Sequence, residues 1–417
     1  MMMLNDSIRY IDGRLHCDHV LVDEIAAEVG TPVYIYSLRR AVTNLRAIQT
    51  AFAALNPHIH YSAKANANLS VLRALISAGA GIDAVSLGEI HRAVTAGAAP
   101  EQIVFAGVGK TAQELYCALE MGIGWFNIEN EAEARLLNQI AAEAGQTARV
   151  ALRFNPDVLA DTHPKIATGH GGAKFGLSAA VVRRLLERQA DLPHLHIDGI
   201  HVHIGSQLHD TGATVRAAEA ALELIAPYPA IRSVNLGGGL PVAYREDERV
   251  PTLSDFADAL TPLLGGYDVL LEPGRSVIAD AGLLVTRVLY EKAQGGGRFL
   301  IVDAGMTDLI RPALYDAHHD IIPLTQAAAE DHQLPAMVVG PVCETSDVLG
   351  RGVPLGAVKP GQPLAILTAG AYGMAMASNY NARPRPAEVV VNEEATTWRV
   401  ARRRETWDDL LALELPL

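Results

Sequence analysis

Several features are scarce in this chain, and each scarcity excludes a class of protein. There are three cysteines, Cys17, Cys117 and Cys343, and no two stand in CxxC spacing. They cannot form a disulfide framework, so a reducing cytoplasm is the expected compartment. No run of about 18 apolar residues occurs, so no transmembrane helix is expected. The opening Met-Met-Met-Leu-Asn-Asp-Ser has no basic region leading into an apolar one, and no secretory signal is expected. Positive charge is in deficit, with 34 Lys and Arg against 47 Asp and Glu and a net charge of -13. Nucleic acid and anionic membrane are therefore not expected as partners. A strand–GxGxxG–helix unit and low-complexity segments are also absent.

What remains is 417 residues, 49% of them hydrophobic, enough for two domains or a large barrel with an addition. Short apolar or alternating runs recur near 58–64, 82–86, 103–107, 125–129, 149–154, 198–204, 232–236 and 268–272. Between them lie stretches of helical period, from Leu69–Ala78 to Leu253–Leu264. Eight strand-like runs, all but the last followed by a helix, predict a (β/α)8 barrel over 31–275. A doubly wound sheet would need the missing glycine fingerprint. After about residue 275 the rhythm stops. Leu283–Glu291, Phe299–Asp303, Ala336–Val339, Pro363–Ala369 and Ala387–Val391 read as strands joined by Gly/Pro-rich turns. They predict a mostly β domain over 276–417, with 1–30 joining it and the strand-like Ser7–Ile11 completing its sheet.

The C-terminal ends of barrel strands form the active-site face. Lys64 closes the first strand-like run, and a period of two places it on one face with His60 and Ser62. Alone it reads more readily as a surface lysine at a strand end. A lysine on an enclosed face needs a partner, a shifted pKa or a covalent use. Other runs end in Arg153 and Asn155, in His201-Val-His-Ile-Gly-Ser-Gln207, in Asn235-Leu-Gly-Gly-Gly239 and in Glu272-Pro273-Gly274-Arg275. Gly237, Gly238 and Gly239 fit a phosphate cradle at the position barrels commonly use, although a tight turn needs the same residues. Ser206 can add a hydroxyl, and Arg275 positive charge. His201 and His203 lack a third ligand at suitable spacing, so no metal is expected. His203 better suits stacking on a planar cofactor, and His201 reads as a core histidine. Gly109-Lys110-Thr111 mimics the end of a Walker loop, but Val104 stands where that loop needs glycine. His318-His319-Asp320 reads as a polar turn. An amine, a phosphate cradle and a carboxylate on one rim suggest pyridoxal phosphate, whose aldehyde, phosphate and ring nitrogen need those three groups.

At these residues the sequence resembles the barrel-type (fold type III) pyridoxal-phosphate decarboxylases, and within them the diaminopimelate decarboxylase family. The carriers are Tyr61-Ser-Ala-Lys-Ala-Asn66, Ser86-Leu-Gly-Glu89, Thr168-Gly169 with Lys174-Phe-Gly176, His203-Ile-Gly-Ser206, Gly237-Gly-Gly239 and Glu272-Pro-Gly-Arg275. In the C-terminal part they are Arg311-Pro-Ala-Leu-Tyr315, Cys343-Glu-Thr-Ser-Asp347, Ala369-Gly-Ala-Tyr372 and Ser378-Asn-Tyr-Asn-Ala-Arg-Pro-Arg-Pro386. The resemblance implies that Lys64 forms the Schiff base, His203 stacks on the pyridine ring and Glu272 pairs with its nitrogen. It places Ser206, Gly237–Gly239 and Pro273-Gly274-Arg275 on the cofactor, with Tyr372 shared between cofactor and substrate. Arg275, Arg311, Tyr315 and Glu344 become the substrate set, and Cys343 the proton donor, delivered across a homodimer interface. The implied reaction is decarboxylation of meso-2,6-diaminopimelate to L-lysine and CO2. Arg311 is the sharper discriminator, because ornithine or lysine offers no distal carboxylate for a guanidinium to bind. Related decarboxylases acting on ornithine, arginine or a D-amino acid are the alternative, and a non-catalytic pyridoxal-phosphate-binding homologue is another.

Overall fold

The computed structural model describes residues 3–159, 161, 163, 168–169, 171–329 and 335–415. The chain divides into two compact units, one of residues 44–242 and 249–276, the other of residues 1–43, 243–248 and 277–417.

The first unit is a closed barrel of eight parallel strands. In chain order they are His58–Ser62, Gly81–Ala84, Ile103–Phe105, Trp125–Ile128, Ala148–Arg153, Leu195–His201, Ser233–Asn235 and Asp268–Leu271. Pairing of Leu270 with His58 and of Leu271 with Ile59 closes the ring. Most strands are short and apolar, and several are buried throughout, as expected of parallel strands covered by helices. Helices such as Leu69–Ser77, Leu87–Ala96, Ala112–Glu120 and Glu131–Glu143 follow them. Their starts are set by the side chains of Asn68, Ser86, Thr111 and Asn130, each accepting a first-turn backbone N–H. A cap of this kind contributes about 1 kcal/mol.

The second unit is built on a nine-stranded sheet. Its long spine, Gly282–Gln294, pairs with Gly297–Val302, with Pro363–Ile366 and with Val33–Ser37. Two expectations change here. The 31–275 boundary places Val33–Ser37 in the barrel, because a β-rich run leading into the helix Leu38–Ala51 imitates a βα unit. It is instead a buried strand of the nine-stranded sheet, between Gly282–Gln294 and Ala387–Val391. The 1–30 segment does join this unit, but through its own three-stranded sheet of Ile8–Ile11, Arg14–Cys17 and Val20–Leu21. Ile8, Leu15 and Cys17 share one apolar core with Val33, Ile35, Leu283, Val285 and Val389.

No helix among the described residues is long and apolar enough to cross a membrane.

Candidate active site

The first barrel strand stops at Ser62, and Ala63–Ala65 forms a single 3-10 turn. Lys64 therefore leaves the strand alternation with His60 and Ser62, and its side chain is 39% exposed rather than enclosed. Lys64 Nζ lies 3.8 Å from Asp83 Oδ2, and Ser62 donates to that same oxygen at 2.5 Å. Burial first, and then repulsion from Glu272, push the Asp83 carboxyl up to about 7 against the pull of Lys64 and Ser62. Gly274 lets the end of the eighth strand approach this turn, since a Cβ there would lie 3.0 Å from Ser62 Cβ and 3.1 Å from Ala65 Cβ. Ser62 N–H also donates to the Pro273 carbonyl at 3.1 Å.

Glu272 is buried and held from three strands. Its Oε1 accepts from Asn235 at 2.6 Å and Asn127 at 3.2 Å, and its Oε2 lies 3.2 Å from His201 Nε2. Burial alone would raise the Glu272 pKa. His201, Lys64 and Asn235 outweigh it and hold the carboxyl well below its usual range. A carboxylate has about four acceptor sites, so Oε2 keeps capacity for one further donor.

His203 accepts from Gly238 N–H through Nδ1 at 3.2 Å, which places no proton on that nitrogen. Enclosure first, then Lys64, Arg153 and His201, push its pKa well below 6.5, so the ring is neutral at physiological pH. The glycine turn is constrained by the same contact. Gly237 has φ +63°, and a Cβ there would fall 2.6 Å from His203 Nδ1. Two of the three glycine N–H groups are already used, Gly237 by Asn235 Oδ1 at 2.8 Å and Gly238 by His203. Only the Gly239 N–H has no acceptor among the described residues. An anion at this corner would therefore depend on Gly239, on Ser206 and on buried Arg275, whose Nε and Nη2 reach Ser206 Oγ at 3.3 and 3.2 Å.

The remaining expected residues belong to the β unit. Arg311 opens the short helix Arg311–Tyr315 and is buried. Its Nη1 lies 2.9 Å from His319 Nε2, and its guanidinium lies 4.5 Å from the centre of the Tyr244 ring. His319 Nδ1 lies 2.9 Å from the Leu367 carbonyl, so Nδ1 carries the proton and Nε2 accepts from Arg311. Tyr315 ends that helix, half-buried. Cys343 and Glu344 are exposed in the loop between the strands Pro335–Val339 and Val348–Pro354. Asp347 braces the loop by accepting from Val342 N at 2.7 Å and Met306 N at 2.6 Å. Tyr372 sits at φ +58°, a strained conformation for a non-glycine residue of the kind concentrated at functional sites.

Lys110 is buried and donates to Glu133 at 2.6 Å and to the Gly107 and Asn127 carbonyls at 2.8 Å each, which uses all three of its protons. His318 pairs with Asp320 at 2.8 Å. No group of three or more His, Cys, Asp or Glu suited to a metal occurs among the described residues.

The pyridoxal-binding domain of pyridoxal-dependent decarboxylases matches residues 38–279. Diaminopimelate decarboxylase of Aquifex aeolicus is 41% identical, covering 99% of this chain and 98% of its own. That of Neisseria meningitidis serogroup B is 44% identical, covering 96% and 97%. The chain belongs to the diaminopimelate decarboxylase family. A solved family member from M. jannaschii, in co-complex with L-lysine, is 36% identical with a TM-score of 0.93, covering 100% of this chain and 99% of that one.

Family motifs singled out Lys64, Glu272 and Arg311 but not the residues that hold them. Asp83, Asn127 and Tyr244 stand in no motif, Asn235 marks only the end of a strand-like run, and His319 and His201 read in sequence as part of a polar turn and as a core histidine. One signal was available in sequence. Asn127 and Asn235 interrupt apolar strands, and a polar group on a buried strand must find a partner.

Proposed function

We propose that the chain decarboxylates meso-2,6-diaminopimelate to L-lysine and CO2, with pyridoxal phosphate as its cofactor. The observation that carries this reading is the barrel rim itself. An amine beside a carboxyl group, a glycine turn whose packing leaves no room for a Cβ, and an anionic glutamate with one acceptor position open stand on the ends of four strands and their loops. These residues fit the group: Lys64 would hold it covalently, Ser206, Gly239 and Arg275 would hold its phosphate, and Glu272 would face its ring nitrogen. When bound, the cofactor supplies an electron sink at the substrate carbon that loses carboxylate.

The chain supplies the rest. Asp83 places a carboxyl group 3.8 Å from the Lys64 amine, a counter-charge once the pH exceeds about 7. Glu272, kept ionised by His201, Asn127 and Asn235, can accept one further N–H at its open acceptor position and so keep that nitrogen protonated. His203 is neutral and offers a flat face without adding charge. Arg311, oriented by His319 and Tyr244, is proposed to bind the distal carboxylate, with Glu344 taking the distal ammonium and Arg275, Tyr315 and Tyr372 completing the contacts. Cys343 Sγ–H is the proposed proton donor to the carbon vacated by CO2. Its exposure, and that of Glu344, supports a homodimer in which a second copy covers this loop. Three free cysteines are consistent with the cytoplasm as the working compartment.

Purified protein assayed with meso-diaminopimelate beside ornithine, arginine and D-amino acids tests the reading. L-lysine should form from the first and no amine from the others. Turnover of ornithine at a comparable kcat/KM would overturn the substrate assignment.

A further inference from the structure

The segment Asn379–Arg383 is a turn with no role so far, yet it holds both residues at the tip of the Cys343 loop. The Tyr380 hydroxyl donates to Glu344 Oε1 at 2.8 Å. The adjacent Asn381 accepts the Cys343 backbone N–H through Oδ1 at 3.2 Å. Two consecutive side chains of one turn thus grip two consecutive residues of another.

The gripping turn is itself built for a fixed shape. Asn381 and Ala382 both lie in the left-handed region, at φ +56° and +52°. Two such residues in succession cost free energy that the surroundings must offset. The turn is anchored by Asn379, whose Nδ2 donates to the Arg383 carbonyl at 3.0 Å and to Glu405 at 2.7 Å. Glu405 is in turn paired with Arg385 and with Arg402 at 2.9 Å. Asp347 braces the opposite side of the loop through Val342 and Met306. Cys343, Glu344, Tyr380 and Asn381 are nevertheless all exposed, so burial contributes little to holding them in register. The titratable groups facing the Tyr380 hydroxyl are Glu344 and Cys343, and both oppose its ionisation. Tyr380 is therefore a neutral, fixed donor at physiological pH.

We infer that Tyr380 and Asn381 are positioning residues for the decarboxylation, Tyr380 orienting Glu344 and Asn381 fixing the Cys343 backbone. The inference rests on the roles proposed above for Glu344 and Cys343. With one Glu344 oxygen occupied by Tyr380, the carboxylate presents its other oxygen in a set direction, which selects an ammonium at one distance from the reacting carbon. Tyr380 thus belongs to substrate recognition, and Asn381 to the placement of the acid.

The holoenzyme variants Tyr380→Phe, Glu344→Gln and their combination test this. Tyr380→Phe should raise KM for meso-diaminopimelate about tenfold with little change in kcat, since a hydrogen bond to a charged group is lost. In the Glu344→Gln background the same change should add less than about twofold, because the tyrosine acts through that carboxylate. Asn381→Gly tolerates the left-handed φ and removes only the acceptor. It should lower kcat and raise the solvent deuterium isotope effect, leaving KM near wild type. An unchanged KM in Tyr380→Phe, equal losses in both backgrounds, or a KM effect alone in Asn381→Gly would overturn the inference. Wild-type protein inactive on diaminopimelate would instead overturn the function on which it rests.

Discussion

His201 Nε2 lies 3.2 Å from Glu272 Oε2, and both groups are buried. This contact, with those from Asn127 and Asn235, converts an expensive buried carboxylate into a stable anion at the barrel axis. Replacement by a neutral amide should leave binding of the cofactor phosphate untouched. Glu272→Gln is therefore expected to keep bound pyridoxal phosphate and to lose about 10²-fold or more in kcat. Absorbance spectra together with steady-state assays check both halves.

The glycine turn makes a sharper demand on shape than on charge. In Gly237→Ala the new methyl would fall 2.6 Å from His203 Nδ1, at a φ of +63°. His203 must move, and with it the Gly238 N–H that it accepts. Affinity for pyridoxal phosphate should fall at least tenfold in a fluorescence titration. A fall in kcat at unchanged cofactor affinity would contradict this account of the turn.

Asp83 gives the protein a pH signature. Its carboxyl is pushed up to about 7 in the fold, against about 4 in an unfolded chain. Between those values the folded protein retains a proton that the unfolded chain has released, so stability from this group is full below about pH 4 and lost as pH rises toward 7. Asp83→Asn mimics the protonated form at every pH. In cofactor-free protein, the Tm of Asp83→Asn minus that of wild type should increase between about pH 4 and 7 and then level off. A difference that stays flat over that window would show that Asp83 is ionised in the fold throughout it.

His319 touches Arg311 and is the lever on the proposed distal-carboxylate site. His319→Leu removes the acceptor of Nη1 and keeps the contact of the guanidinium with the Tyr244 ring. KM for diaminopimelate should rise about tenfold, the scale of one charge-assisted hydrogen bond, with the cofactor spectrum unchanged.

The sequence made the barrel legible through its strand–helix rhythm, and the rim through chemistry concentrated at strand ends. Strand exits at Arg153, His201, Asn235 and Leu271 fall within a few residues of expectation. Two readings failed for physical reasons. Val33–Ser37 is buried on both faces and precedes a helix, and periodicity does not say which sheet such a strand enters. Lys64 lies in a 3-10 turn that a period of two cannot anticipate, although its neighbourhood with Ser62 survives through their common partner Asp83. The supporting residues were harder to see. Tyr244 and His319 are 75 positions apart and meet in an edge-on ring contact at 5.4 Å, and no local pattern encodes such a pair.

The central claim is that Lys64 carries the cofactor. Borohydride reduction of the holoprotein, followed by peptide mass mapping, tests it most directly. A pyridoxyl mass on the peptide containing Lys64, absent from Lys64→Ala together with the Schiff-base absorbance and turnover, is the predicted result. An adduct on a different lysine, or a Lys64→Ala protein with normal activity, would contradict it.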